Sequence, residues 1–329
     1  MNKLIKQIRQ NGSTSLFLRT NLASKLILTI ALLTFSLGQA AQARVQGFRI
    51  PTPGSEPISI ILGPDGNLWF TEQEASNVAR VTPEGVITEF RTPTFSFPSD
   101  ITAGPDGNVW FSEGSVGQVA FITPSGEIEE ILFSSSGSAG GIVTGPDGNI
   151  WFTDSIGNSI WRLELPTRAL TSFPVPTMNS FPTDITLGGD GNLWFIEGIG
   201  KIGRITPQGV ITEFTDDLSL PFSIATGPDG NVWFTQRFKP EIGKITPDGE
   251  FTFYPTPGNT EEIARGHGNT LIFSEFGSSK IAKITTDGVV TESPEIRNSL
   301  PTGIAAGPDK TIWFLGSGND TVYRVNFAR

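Results

Sequence analysis

Residues 63–72 read GPDGNLWFTE, and nearly the same ten letters return as GPDGNVWFSE from Gly104, GPDGNIWFTD from Gly145, GGDGNLWFIE from Gly188, GPDGNVWFTQ from Gly227, GHGNTLIFSE from Gly266 and GPDKTIWFLG from Gly307. The marker aromatics are Trp69, Trp110, Trp151, Trp194, Trp233 and Trp313, with Ile272 in the sixth copy, so the spacing runs 41, 41, 43, 39, 39 and 41 residues. Each unit holds a short β-branched run such as Asp100 to Ala103, the Gly turn, a second run such as Val109 to Ser112, and two further runs split by another Gly turn. Pro presets the first turn position, while Asp and Gly accept the backbone angles of a tight β connection. Four short strands per unit, at a period of about 40 residues, are the pattern of a β-propeller. The reading is all-β: a seven-bladed β-propeller of four-stranded blades.

The chain ends sharpen this expectation. Residues 45–53, VQGFRIPTP, match the fourth strand of the next unit, VITEFRTPT at 86–94, yet they precede the first complete unit. At the other end TVYRVNFAR matches a third strand and the chain stops. The N-terminal strand is therefore expected to complete the last blade and remove an open edge.

Residues 1–43 differ from the rest: Lys3, Lys6, Arg9, Arg19 and Lys25 with no acid, an apolar run from Leu26 to Leu37, then Ala41-Gln42-Ala43. This order reads as a cleaved secretory signal, followed by a propeller over 44–329 and a secreted or periplasmic location; the alternative is an uncleaved anchor. Losing those five basic residues takes the formal charge from −10 to −15. Such a surface repels phosphate backbones and anionic lipid, so nucleic acid and, after cleavage, the membrane are excluded as partners. With no cysteine, an exported chain must be held by its core, and a monomer is expected.

The repeats Gly-Pro-Asp-Gly and Trp-Phe-Thr-Glu, with KIGRITPQGVITEF from Lys201 and EIGKITPDGEFTFY from Glu241, resemble those of the virginiamycin B lyase (streptogramin lyase) family from about Val45 onward. The resemblance implies a lyase that linearises a cyclic depsipeptide by elimination across an ester, using a His general base, a second His, glutamates and magnesium. The family's Pro-His-Gly-Ile segment is Pro301-Thr302-Gly303-Ile304 here, so Thr302 stands at the base position. Glu261 aligns with the second His, and Leu300 and Ser317 with two of the glutamates. A hydroxyl does not replace an imidazole near neutral pH. The one histidine, His267, falls in a turn on the opposite face and reads as an exposed turn residue; with no Cys, no nucleophilic triad can be assembled.

Two other sets of residues stand out. Glu72, Glu113, Asp154, Glu197, Gln236 and Glu275 close successive second strands, either as a carboxylate ring near the channel mouth able to hold a hard cation or as acceptors that stabilise each blade. The residues opening the innermost strands vary from blade to blade, as an asymmetric ligand site requires: Asp100, Asp184, Glu261 and Glu262, with Phe222 as an apolar wall and Arg237 and Arg265 nearby. The leading expectation is a binding protein for a small molecule or peptide on that face. The alternatives are a lyase with a rearranged acidic cation site, with magnesium if the family activity is kept, and a metal-dependent lactone hydrolase.

Overall fold

The repeat unit folds as it does because its turn is self-sufficient. In blade 1, Gly63 N–H donates to Asn67 O at 2.8 Å, and Gly66 adopts φ of +79°. Asp65 then gathers the turn, accepting from Asn67 N at 3.1 Å, Asn67 Nδ2 at 2.7 Å and the Trp69 indole at 3.0 Å. The Asp of the repeat, held in place by the Asn, thus satisfies an indole N–H that would otherwise be buried unpaired. Asp106, Asp147, Asp190 and Asp229 hold their tryptophans in the same way.

In the computed structural model, which describes residues 44–327, the chain forms seven antiparallel four-stranded sheets. Blade 1 comprises Pro57–Leu62, Leu68–Glu72, Asn77–Val81 and Ile87–Arg91, and the next five blades repeat the order from Pro98, Ala139, Pro182, Pro221 and Ile263. Blade 7 takes Pro301–Ala306, Ile312–Gly316 and Thr321–Asn326, and its fourth strand is Arg44–Arg49, paired from Arg44 against Asn326 to Arg49 against Thr321. The expected closure is thereby formed, with Phe48 stacked on Trp313 at 5.6 Å. The expected leader lies outside the described residues; among those described, no helix is long and apolar enough to cross a membrane.

The core is a series of contacts between blades. Successive side chains on a strand face opposite ways, so Trp and Phe of one second strand serve two interfaces. Trp69 packs with Phe111 of blade 2, Trp110 with Phe152, Trp151 with Phe195, Trp194 with Phe234 and Trp233 with Phe273, and Trp313 meets Phe70 to close the ring. Between blades 6 and 7, Ile272 replaces Trp, with Tyr323 and Phe327 packed alongside. Basic side chains seal the outside: Arg204 lies 5.4 Å from both the Trp194 and Phe214 rings and reaches Pro247 O of the next blade at 2.8 Å.

Candidate functional site at the channel mouth

The turns occupy one face of the disc. On the other face each linker enters an innermost strand, and in blades 1 to 5 and 7 the pairing slips between the first residue and the fourth, as between Pro98 and Ile101. A bulge of this kind re-aims the residues it contains. The re-aimed positions hold Ser59, Asp100, Gly141, Asp184, Ser223 and Gly303, with Glu262 at the matching place ahead of the shorter strand of blade 6. A Cβ on Gly141 would sit 2.7 Å from the Asp184 Cα, so blade 4 approaches blade 3 closely only because that position lacks a side chain.

Ser59, Asp100, Asp184 and Glu262 line both cavities of the channel, one of about 170 Å³ toward the linker face and one of about 490 Å³ toward the turns. They form its waist. Asp100 accepts from Ser59 Oγ at 2.8 Å and from Ile142 N of blade 3 at 2.9 Å. Asp184 accepts from Ile185 N at 2.8 Å and from Ile224 N of blade 5 at 2.8 Å. Burial pushes the Asp100 carboxyl up, and burial with the Asp100 charge pushes Asp184 up to about 7. Burial and the charges of Asp184 and Asp100 hold Glu262 well above the ordinary value. Three like charges gathered in the half-buried waist repel, and protons relieve them.

Above the waist, Phe222 lines the smaller cavity, the Arg237 guanidinium lies 4.0 Å from its ring centroid, and Arg237 Nη2 donates to Glu261 Oε1 at 2.6 Å. Of the expected set, Asp100, Asp184, Glu262, Phe222, Arg237 and Glu261 therefore come together. Arg265 joins only part of this set: it ends its strand, opposite Leu271, and lines the turn-side cavity together with Asp100, Asp184 and Glu262.

A feature the sequence did not announce rings this mouth. Glu56, Phe97, Phe181, Leu220 and Leu300, each just before the Pro of an innermost strand, have φ between +45° and +53°. Left-handed backbone at bulky residues costs on the order of 1–3 kcal/mol and concentrates where a site needs it. Beside Leu300 a further cavity of about 360 Å³ is lined by Glu56, Ile58, Phe276, Thr302 and Ser317. The Thr302 hydroxyl is committed to Pro57 O at 2.8 Å.

The acids closing the second strands do not form a ring at the channel. Glu72, Glu113, Glu197, Gln236 and Glu275 are 0% exposed and Asp154 2%, and none lines either channel cavity, because the first strand stands between them and the axis. Their bonds are local: Asn77 donates to Glu72 at 2.9 Å, Ser96 to Glu113 at 2.7 Å, Ser138 N to Asp154 at 3.0 Å and Ser219 N to Gln236 at 2.7 Å. Blade 7 has Gly316 there, opposite Pro301 as Glu72 is opposite Pro57, so Gly316 rather than Ser317 stands in register with the repeated acid. His267 is half-buried, its Nε2 3.0 Å from Thr311 O of the next blade, and so is an inter-blade contact rather than a free turn residue.

The Virginiamycin B lyase family model matches residues 37–218 and 215–328. The chain belongs to the virginiamycin B lyase family. It is similar to a streptogramin B lyase structure at 30% identity and a TM-score of 0.82, over 87% of this chain and 98% of that one. It is also similar to virginiamycin B lyase from Staphylococcus aureus at 33% identity and a TM-score of 0.81, over 87% of this chain and all of the other. A catalytically inactive histidine-to-alanine variant of the Staphylococcus aureus enzyme, determined with quinupristin, matches at 32% identity and a TM-score of 0.81, over the same 87% of this chain and all of the other. No curated protein sequence matches the chain.

Magnesium, which the family resemblance implies, does not suit the residues at the matching place. Magnesium takes an octahedron of oxygen ligands, keeps several waters and is usually held through one or two carboxylates. Thr302, Leu300 and Gly316 supply no carboxylate, and Glu261 is paired with Arg237. Among the described residues no group of three or more His, Cys, Asp or Glu converges as a metal site.

Proposed function

We propose that this protein is an exported binding member of the family, without lyase chemistry, that holds a predominantly apolar small molecule or peptide on the linker face of the propeller. The observation that carries this reading is the fate of the base. Thr302, where the resemblance puts the family's base, has its hydroxyl donated to Pro57 O, and the one histidine of the chain lies in a turn on the opposite face. Removing a carbon-bound proton needs a free base within reach of the substrate, and neither group is one. The cavities and the rim support a retained binding surface: Phe222, Phe276 and Leu300 supply apolar wall, and Arg237 with Glu261 supplies a polar edge.

The test is to incubate the purified protein with a streptogramin B-type cyclic depsipeptide and magnesium, follow the products by mass spectrometry, and titrate the same compound by calorimetry. Intact compound with measurable binding supports the proposal. A linear elimination product abolished by chelator overturns it in favour of a lyase with a rearranged acidic cation site.

A further inference from the structure

The buried acids of the second strands pose a problem of hydrogen bonding. Glu72 Oε1, Glu113 Oε2, Glu275 Oε1 and both carboxyl oxygens of Glu197 are buried without a hydrogen-bond partner. In three of these residues the other oxygen is satisfied, by Asn77, Ser96 and Ser278 respectively. A buried carboxylate oxygen without a donor is costly, and repetition of the same orphan at equivalent places calls for a common cause.

Each orphan faces a second glutamate on the fourth strand of its own blade. Glu89 faces Glu72, Glu130 faces Glu113, Glu213 faces Glu197 and Glu292 faces Glu275. The other charged groups around them are Asp320 beside Glu72, Lys201 beside Glu197 and Lys280 beside Glu275. Blade 5 shows what the position needs. There the residue is Gln236, and its Nε2 donates to the carboxylate of Glu241 at 2.7 Å while its Oε1 accepts from Ser219 N at 2.7 Å. A neutral side chain that accepts with one atom and donates to a carboxylate with the other satisfies the site completely.

We propose that Glu72, Glu113, Glu197 and Glu275 are proton-binding sites that hold their protons into the neutral range, Glu72, Glu197 and Glu275 by donating to the fourth-strand glutamate of their blade and Glu113 beside the charge of Glu130. Burial, the first cause in every case, pushes Glu72 up to about 8 and Glu113, Glu197 and Glu275 up to about 7. Burial also works against Glu213, but its bonds from Thr177, together with Glu197 and Lys201, outweigh it and hold that carboxyl below the ordinary value. Within that pair one member is the acid and the other the carboxylate.

The shared protons reach the ligand face because the same glutamates hold its linkers. Thr52 N and Oγ1 donate to Glu89 at 2.8 and 3.0 Å, Thr94 N and Oγ1 both to Glu130 at 2.7 Å, and Thr177 N to Glu213 at 3.1 Å. Ser96, bound to Glu113, directly precedes Phe97 of the rim. Loss of the protons leaves two charges where one was held, and the linkers loosen together.

A group whose proton is held more tightly in the folded state contributes stability below its unfolded pKa and loses that contribution as pH rises through the folded one. The melting temperature is therefore expected to fall between about pH 5 and pH 8. A variant with Glu72→Gln, Glu113→Gln, Glu197→Gln and Glu275→Gln is expected to retain half of that fall or less, the remainder belonging to Asp100, Asp184 and Glu262. Equal falls in the two proteins, or no fall in the parent, overturn the proposal. Should the combined variant not fold, infrared spectra of the unaltered protein against the single Glu72→Gln and Glu113→Gln variants decide: a protonated-carboxyl C=O band near neutral pH that weakens in the variants supports the proposal, and a band unchanged in both, or absent from the parent, overturns it.

Discussion

The carboxylate of Asp184 in blade 4 accepts the backbone N–H of Ile224 in blade 5 at 2.8 Å. Asp100 does the same for Ile142 of blade 3, so both acids clip one bulged inner strand to the next around the channel. Asp184→Ala leaves that N–H and the Ile185 N–H without an acceptor and is expected to cost about 1–3 kcal/mol. Chemical denaturation measures it; stability unchanged within error would mean that the clip carries nothing.

Thr302 holds blade 7 to blade 1 through its bond to Pro57 O. Thr302→Val keeps the shape and loses the donor, so a loss of about 1 kcal/mol is expected in the same assay. Turnover of the depsipeptide should be absent before and after the change. A lyase activity that disappears with the hydroxyl would instead make Thr302 part of the chemistry.

At the linker-side mouth, Arg237 stacks on Phe222 and pairs with Glu261, its own side chain 48% exposed. Ion pairs this exposed contribute little to folding, about 0–1 kcal/mol. Arg237→Ala should accordingly leave the melting curve nearly in place while weakening calorimetric binding of the depsipeptide, whose contact surface it changes. Unaltered affinity would move the site to the cavity beside Leu300.

How far the sequence disclosed this molecule depends on what repeats. The Asp65–Asn67–Trp69 turn recurs from blade to blade, so its period exposes the propeller, and the unpaired copies at the two ends expose the closure. The convergence of Asp100, Asp184 and Glu262 was also legible, since it follows from one position in each repeat. Arg265 keeps company with Asp100, Asp184 and Glu262 only on the turn side of the waist, because the short strand from Ile263 carries it past Glu262 and away from Phe222. The left-handed rim gave no signal, because Phe97, Phe181, Leu220 and Leu300 are not residue types that favour positive φ. Of the two readings open for the second-strand acids, the structure matches that of acceptors stabilising each blade, because the innermost strand stands between them and the channel.

The ring closure supplies the last prediction. All six residues of Arg44–Arg49 pair with Thr321–Asn326, and Ile50 N–H continues the seam to Asp320 O at 2.8 Å. Phe48 covers Trp313 and lies where a side chain on Gly85 would go, so the strand fills a seat shaped by blades 7 and 1 together. Arg324 reinforces the same seam, reaching Pro83 O at 2.7 Å. Deleting residues 44–49 leaves Thr321–Asn326 as an unpaired edge and uncovers apolar surface at Trp313, the combination that recruits other chains. The shortened protein is expected to melt at lower temperature and to elute as oligomer or aggregate, whereas Phe48→Ala alone should remain monomeric with a loss of about 1–3 kcal/mol, since that ring is only half-buried. Size-exclusion chromatography with light scattering separates the two. A monomeric shortened chain with an unchanged melting temperature would show that the other blades hold the ring without this strand.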